Sequence, residues 1–190
     1  MSNVFDVGQL ITELVPNVDK MKLYKLCFFS QGWHLAWTGK PLFNEELIAW
    51  TKGPVPVDLR KDTEDVAQDW EVPHVPKGNS AALSPYEKEV VENVVGFYNK
   101  FPSRTLSKIS HGQAWTEARC GIPDENHCSN PLSMTTLREE FTGMIHSDQP
   151  TPAAPSVPAE QDLVGWEELL ELAGQVENEW SNTLALLSSR

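Results

Sequence analysis

The sequence predicts a mainly α-helical protein: a compact helical domain with a small β-hairpin or short sheet, followed by a proline-rich linker and a C-terminal amphipathic helix. Three observations lead there. Apolar residues recur every three or four positions through most of the chain. One apolar run, Leu47-Ile48-Ala49-Trp50, is too brief for a helix and lies between turn residues. Four prolines crowd into residues 150–158. The 190 residues suffice for one domain and an appendage, and a composition 40% apolar and 22% charged is that of a soluble globular protein.

The first helix rests on Val4, Val7, Leu10, Ile11 and Leu14, with Ser2 or Asn3 as its cap and Pro16 to close it. A second starts after Asp19 and runs to about Trp37. Its stripe (Leu23, Leu26, Ser30, Trp33, Trp37) is widened by Met21, Tyr24, Cys27, Phe28, Phe29 and Leu35, so neighbours must cover most of it; this is the central helix. After a small strand or hairpin near 47–50, Gly53-Pro54 reads as a stop. Residues 55–66 restart as a helix limited by Pro56, and 70–78 read as extended or loop.

Ser84-Pro85-Tyr86-Glu87 is a capping box with proline in the first turn, opening a helix to about Phe101 whose buried face is Val90, Val91, Val94, Val95, Tyr98 and Phe101. A short helix over 104–110 turns Leu106 and Ile109 inward. Another over 135–144 presents Leu137, Phe141 and Met144 or Ile145.

Three regions follow: a body over 1–146, an extended semi-rigid linker over 147–160, and an amphipathic helix over 161–190. Leu163, Trp166, Leu170, Ala173, Trp180, Leu184 and Leu187 form the stripe of that last helix, opposite Glu167, Glu168, Glu171 and Glu179. Such a stripe needs a surface, supplied by the body, a partner or a second copy; pairing of two copies would give a homo-oligomer.

Formal net charge is -12, with 19 acidic and 14 basic residues in 1–144 and eight acidic against one basic in 145–190. That balance opposes phosphate neutralisation, so direct nucleic-acid binding is not expected. No stretch approaches the roughly 18 apolar residues of a membrane span. Three scattered cysteines and an N-terminus without a secretory pattern place the chain in the reducing cytoplasm.

Chemistry leaves little trace. Cys120, His127 and Cys128, with a more distant His111, match neither paired C-x-x-C nor H-E-x-x-H, so no metal is assigned. There is no G-x-S-x-G elbow or phosphate-cradling G-x-x-x-x-G-K, so no catalytic residue, cofactor or enzymatic activity is expected. What is unusual is tryptophan and histidine near turns: Trp33-His34 with Trp37, Trp50 before Gly53-Pro54-Val55, and His111 before Trp115. Clusters of this kind suit a satisfied core or a recognition surface. For His34 and His111 the plain reading is a histidine bonded to backbone and holding a turn.

The run from Met21 to Ala36, MKLYKLCFFSQGWHLA, resembles the K-L-x-K-L-x-Y-x-x-Q-x-W-x-L signature of the Panacea antitoxin domain. Gly39-Lys40-Pro41-Leu42-Phe43, then Ala49-Trp50 with Gly53-Pro54-Val55, look like that family's G-x-P-L-F and A-W-x-x-G-P-V blocks. Leu106-Ser107, Ser110-His111 and Ala114-Trp115 through Ala118-Arg119 look like its L-S-x-x-T-H and W-x-x-A block, the whole covering roughly 4–144. Two departures stand out: Pro56-Val57-Asp58-Leu59 occupies the place of an aromatic after G-P-V, and Ser110 stands where threonine is common.

The resemblance implies a small cytoplasmic bacterial or phage antitoxin that neutralises a co-encoded protein toxin by binding it. The alternative is a proteolytic adaptor, or a phage-encoded inhibitor of a host protein. Many toxins act on RNA and expose basic sites, which an acidic surface would approach faster. The expected partner-binding residues are the exposed edges of Trp33, Trp37, Trp50 and Trp115, with Trp166, Leu170, Trp180 and Leu184 of the tail. Motif residues expected to fix the scaffold are Lys22, Leu23, Lys25, Gln31, His34, Gly53, Pro54, Val55 and His111.

Overall fold

The computed structural model describes residues 2–67 and 69–156, and Met1–Val157 form one compact unit. Helix α1 (Val4–Leu14) opens on a reciprocal cap: the Asn3 side chain accepts the Asp6 N–H at 2.9 Å and the Asp6 carboxylate accepts the Asn3 N–H. Strand β1 (Val18–Asp19) leads directly into α2 (Lys20–Thr38), where Asp19 accepts the Lys22 N–H and Gly39, in the left-handed region at φ 74°, closes the last turn. Every residue of α2 from Leu23 to Leu35 is buried. The width of its apolar stripe requires this, and α1 together with later helices and the strand over Gly53–Pro56 supplies the cover.

Strands β2 (Leu47–Trp50) and β3 (Gly53–Pro56) form an antiparallel hairpin in the register Leu47 to Pro56 and Trp50 to Gly53. Here the expected stop at Gly53-Pro54 is corrected: these residues begin the second strand. Pro54 lacks a backbone donor, which an edge position tolerates. Beyond a short α3 (Val57–Asp62), β4 (Glu71–Val72) pairs antiparallel with β1 and a 3-10 turn spans Ser80–Ala82. Then come α4 (Pro85–Tyr98), α5 (Ser103–Ile109), α6 (Gln113–Arg119) and α7 (Met134–Ile145). The described residues are thus mainly helical with small two-stranded sheets, and no described helix is long and apolar enough to cross a membrane.

The core is aromatic. Phe29 stacks on Tyr98 with ring centroids 4.0 Å apart, and Phe141 meets Trp33 and Phe28 edge-on at 5.2 and 5.7 Å. One expected inward residue is corrected, since Ile109 is 43% exposed; of Met144 and Ile145 it is Met144 that packs on the core. Helix α5 has only two turns, and the buried place after Leu106 goes to Ser110, whose hydroxyl donates to the Ser107 carbonyl. Helix α6 has no local signature because its cap is remote: the Ala114 N–H is accepted by Glu140 of α7 at 2.8 Å.

Residues 147–156 carry no helix or strand, and the proline-rich run is held along α4. Asn93 donates to the Ala153 carbonyl, and the Ser156 N–H and hydroxyl both donate to Glu89 at 2.8 and 2.6 Å. The predicted tail helix, with Trp166, Leu170, Trp180 and Leu184, lies outside the described residues.

Gly32 marks the closest packing on α2. A Cβ there would stand 2.5 Å from two ring carbons of Phe141. Gly32→Ala is therefore expected to destabilise the body by about 1–3 kcal/mol in urea unfolding, and pairing it with Phe141→Leu should recover part of the loss.

Candidate functional site

The motif residues form one connected scaffold. Gln31, buried in α2, accepts the N–H groups of Leu42 and Phe43 at 2.8 and 3.2 Å and donates to the Phe43 carbonyl at 2.9 Å. One side chain thus satisfies three backbone groups of a loop without secondary structure. His34 sits one turn on, its Nδ1 2.8 Å from the Lys40 carbonyl; burial lowers its pKa. Lys22 donates to the carbonyl and side chain of Asn99 at the end of α4.

The hairpin is held by side-chain donors on its carbonyls. Lys25 donates to Pro54 at 2.7 Å, Arg119 to Ala49 at 2.9 Å, the Trp115 indole to Trp50 at 2.9 Å and Ser107 to Lys52 at 2.8 Å. Gly53 at φ 91° fits beneath this clamp, since a Cβ would collide with the Ser110 hydroxyl and lie 3.0 Å from Lys25 Nζ. Neither Lys25 nor Arg119 has an ion-pair partner among the described residues. His111 stacks on Trp115 with centroids 3.8 Å apart, and Arg119 lies 4.8 Å from the same ring. The His111 pKa is lowered first by burial and then by Lys25; its Nε2 is buried without a hydrogen bond.

Beside the hairpin opens a cavity of about 960 Å³ between α2, α3, α5 and the β4 approach. Trp50, Trp70, Tyr24 and Met21 give it apolar walls. Six of the fourteen cationic side chains of residues 1–144 line it, against two carboxylates. Both carboxylates are engaged: Asp19 accepts the Lys22 N–H and the Ser103 hydroxyl, and Glu64 pairs with Arg60 at 3.2 Å. Trp70 is 78% exposed, its carbonyl held by the Lys20 N–H at 2.9 Å while Asp69 and Trp70 both take left-handed backbone. Arg60 lies 5.4 Å from the Trp50 ring and Lys20 5.8 Å from that of Trp70.

The predicted tryptophans divide. Trp50 lines the cavity and Trp37 is half-buried on the body, stacked 5.4 Å from Trp33. Trp33 and Trp115 are corrected: at 1% and 4% exposure they have no free edge, because each indole N–H is committed to an internal acceptor, the Tyr98 hydroxyl and the Trp50 carbonyl. Trp70 was missed, although a tryptophan between Asp69 and Glu71, outside any apolar period, is a legible sign of exposure. Cys120 is exposed and Cys128 buried, and no cluster of three potential metal ligands occurs among the described residues.

The arrangement is a motif-built scaffold that presents a cavity. Residues 23–116 match the family model described as Antitoxin SocA-like, Panacea domain. Residues 23–116 thus carry a Panacea domain, as the motifs imply. Comparison with curated proteins and with solved structures gives no match.

Burial lowers the Lys25 pKa from its ordinary 10.5 to about 7. The unfolded chain keeps that proton to about pH 10. Between about pH 7 and 10 the unfolded state therefore binds the extra proton, and stability rises with pH by up to about 1.4 kcal/mol per unit. Below that window the group adds no slope. Lys25→Met is expected to remove this rise when urea unfolding is compared at about pH 7.5 and 9.5.

Proposed function

We propose that this protein is a cytoplasmic antitoxin that neutralises a co-encoded protein toxin by direct docking, without catalysis. The observation that carries the reading is the Panacea match over residues 23–116. The organisation of the site supports it: matched residues such as Lys25, Gln31, Gly53 and Trp115 are spent on internal contacts, while Trp50 and Trp70 remain at a rigid, partly apolar opening. A preformed surface of this kind suits inhibition by occupancy, where little conformational entropy is lost on association. No step of the reading calls for a cofactor or metal.

The experiment is co-expression of the adjacent open reading frame with and without this chain, scored by growth and co-purification. Growth arrest by the neighbour alone, relief by this chain and a stable complex are expected. A harmless neighbour that fails to co-purify overturns the reading. Steady toxin levels during rescue mark occupancy, whereas falling levels mark delivery to a protease. Removal of residues 158–190 reads out the contribution of the acidic tail: rescue equal to that of the full chain shows that Trp166, Leu170, Trp180 and Leu184 do not carry the docking.

A further inference from the structure

The charge of the cavity runs against that of the chain. Residues 1–144 carry a net charge of -5, yet around this opening six cations face two carboxylates that already serve other groups. Lys20, Lys52, Arg104 and Lys108 form no ion pair among the described residues, and Lys52, Arg104 and Lys108 are exposed. Arg104 and Lys108 stand one turn apart on α5, where like charges repel. Lys25 adds a buried amino group beside the same cavity, donating to the Pro54 carbonyl. The exposed Lys52, Arg104 and Lys108 form no ion pair that holds the fold among the described residues, and like charges brought together without counter-charges cost stability. An anionic partner would remove that cost.

The geometry points to the cavity as the seat of an acidic segment of the toxin, its carboxylates meeting Lys52, Arg104 and Lys108 and an apolar side chain lying against Trp50 and Trp70. This rests on the antitoxin reading. A protein segment fits better than a nucleic acid because the basic area is confined. A polynucleotide would carry its phosphates beyond the opening onto a body of opposite preference, whereas a peptide presents a few charges over one cavity. The exposed Trp70 next to cations is the kind of anchor that dominates protein interfaces.

The test uses the full-length chain and the purified product of the adjacent open reading frame. In R104E/K108E both changes fall on exposed side chains, so circular dichroism and melting temperature should match the unaltered chain. Affinity for the toxin is expected to fall about tenfold or more, and Trp70→Ala should weaken it independently. Raising NaCl from about 0.15 to about 0.5 M should weaken the unaltered complex and leave the residual binding of R104E/K108E nearly unchanged. Reversal of one acidic residue of the toxin to lysine should restore binding to R104E/K108E. If the unaltered chain binds the toxin and both variants bind it within about twofold, the cavity is not the docking site while the antitoxin reading stands. A complex that nuclease treatment dissolves makes the occupant a nucleic acid and overturns the proposal. If the unaltered chain does not bind the neighbour at all, the antitoxin reading itself fails.

Discussion

Two buried basic side chains without carboxylate partners hold the β-hairpin against the helices. Lys25 comes from the central helix and Arg119 from the far end of α6, and each donates to a carbonyl on a different strand, Pro54 and Ala49. Burying a charge is costly unless it is well hydrogen-bonded, and carbonyl dipoles are the only acceptors these two use within the described residues. The consequence is geometric. Strand β3 can approach α2 only with glycine at 53, Ser110 must be small enough to sit above it, and Trp115 must lie flat to reach the Trp50 carbonyl. Three sequence blocks separated by tens of residues are one contact in space.

The central helix organises everything else. Its continuous burial leaves no solvent face between Leu23 and Leu35, so its polar residues serve the interior. Gln31 fastens the loop at Leu42-Phe43, His34 the turn at Lys40 and Trp33 the Tyr98 hydroxyl. At the helix's N-terminal end Met21, Tyr24 and Lys25 line the cavity to which the hairpin edge and the loop before β4 bring Trp50 and Trp70.

Charge is distributed on two scales. At long range the chain is an anion, and its acidic surplus favours encounter with basic partners. At the cavity the local balance reverses, with six basic side chains against two carboxylates. Net charge alone therefore misdescribes this surface, because Lys20, Lys52, Arg60, Arg104 and Lys108 come from four separate segments.

Local signals were legible wherever the physics is local. Asn3 with Asp6, Asp19 before α2 and Ser84 with Glu87 act within one turn, and the breadth of the apolar stripe on α2 fixed its burial. Helix α6 was not legible, since Glu140 caps it from 26 residues away; of the expected hairpin, what was not legible is that its second strand begins at Gly53-Pro54, the place read as a stop. Of the site, the sequence supplied Trp50 but assigned Trp33 and Trp115 to the surface, and it offered no way to assemble the basic rim. By itself, then, the sequence determined the helices, their caps and the family motifs, because these depend on neighbours along the chain. Only the tertiary structure decided which tryptophans are spent internally and where the cations gather, because indole partners and charge clustering are set by contacts between distant segments.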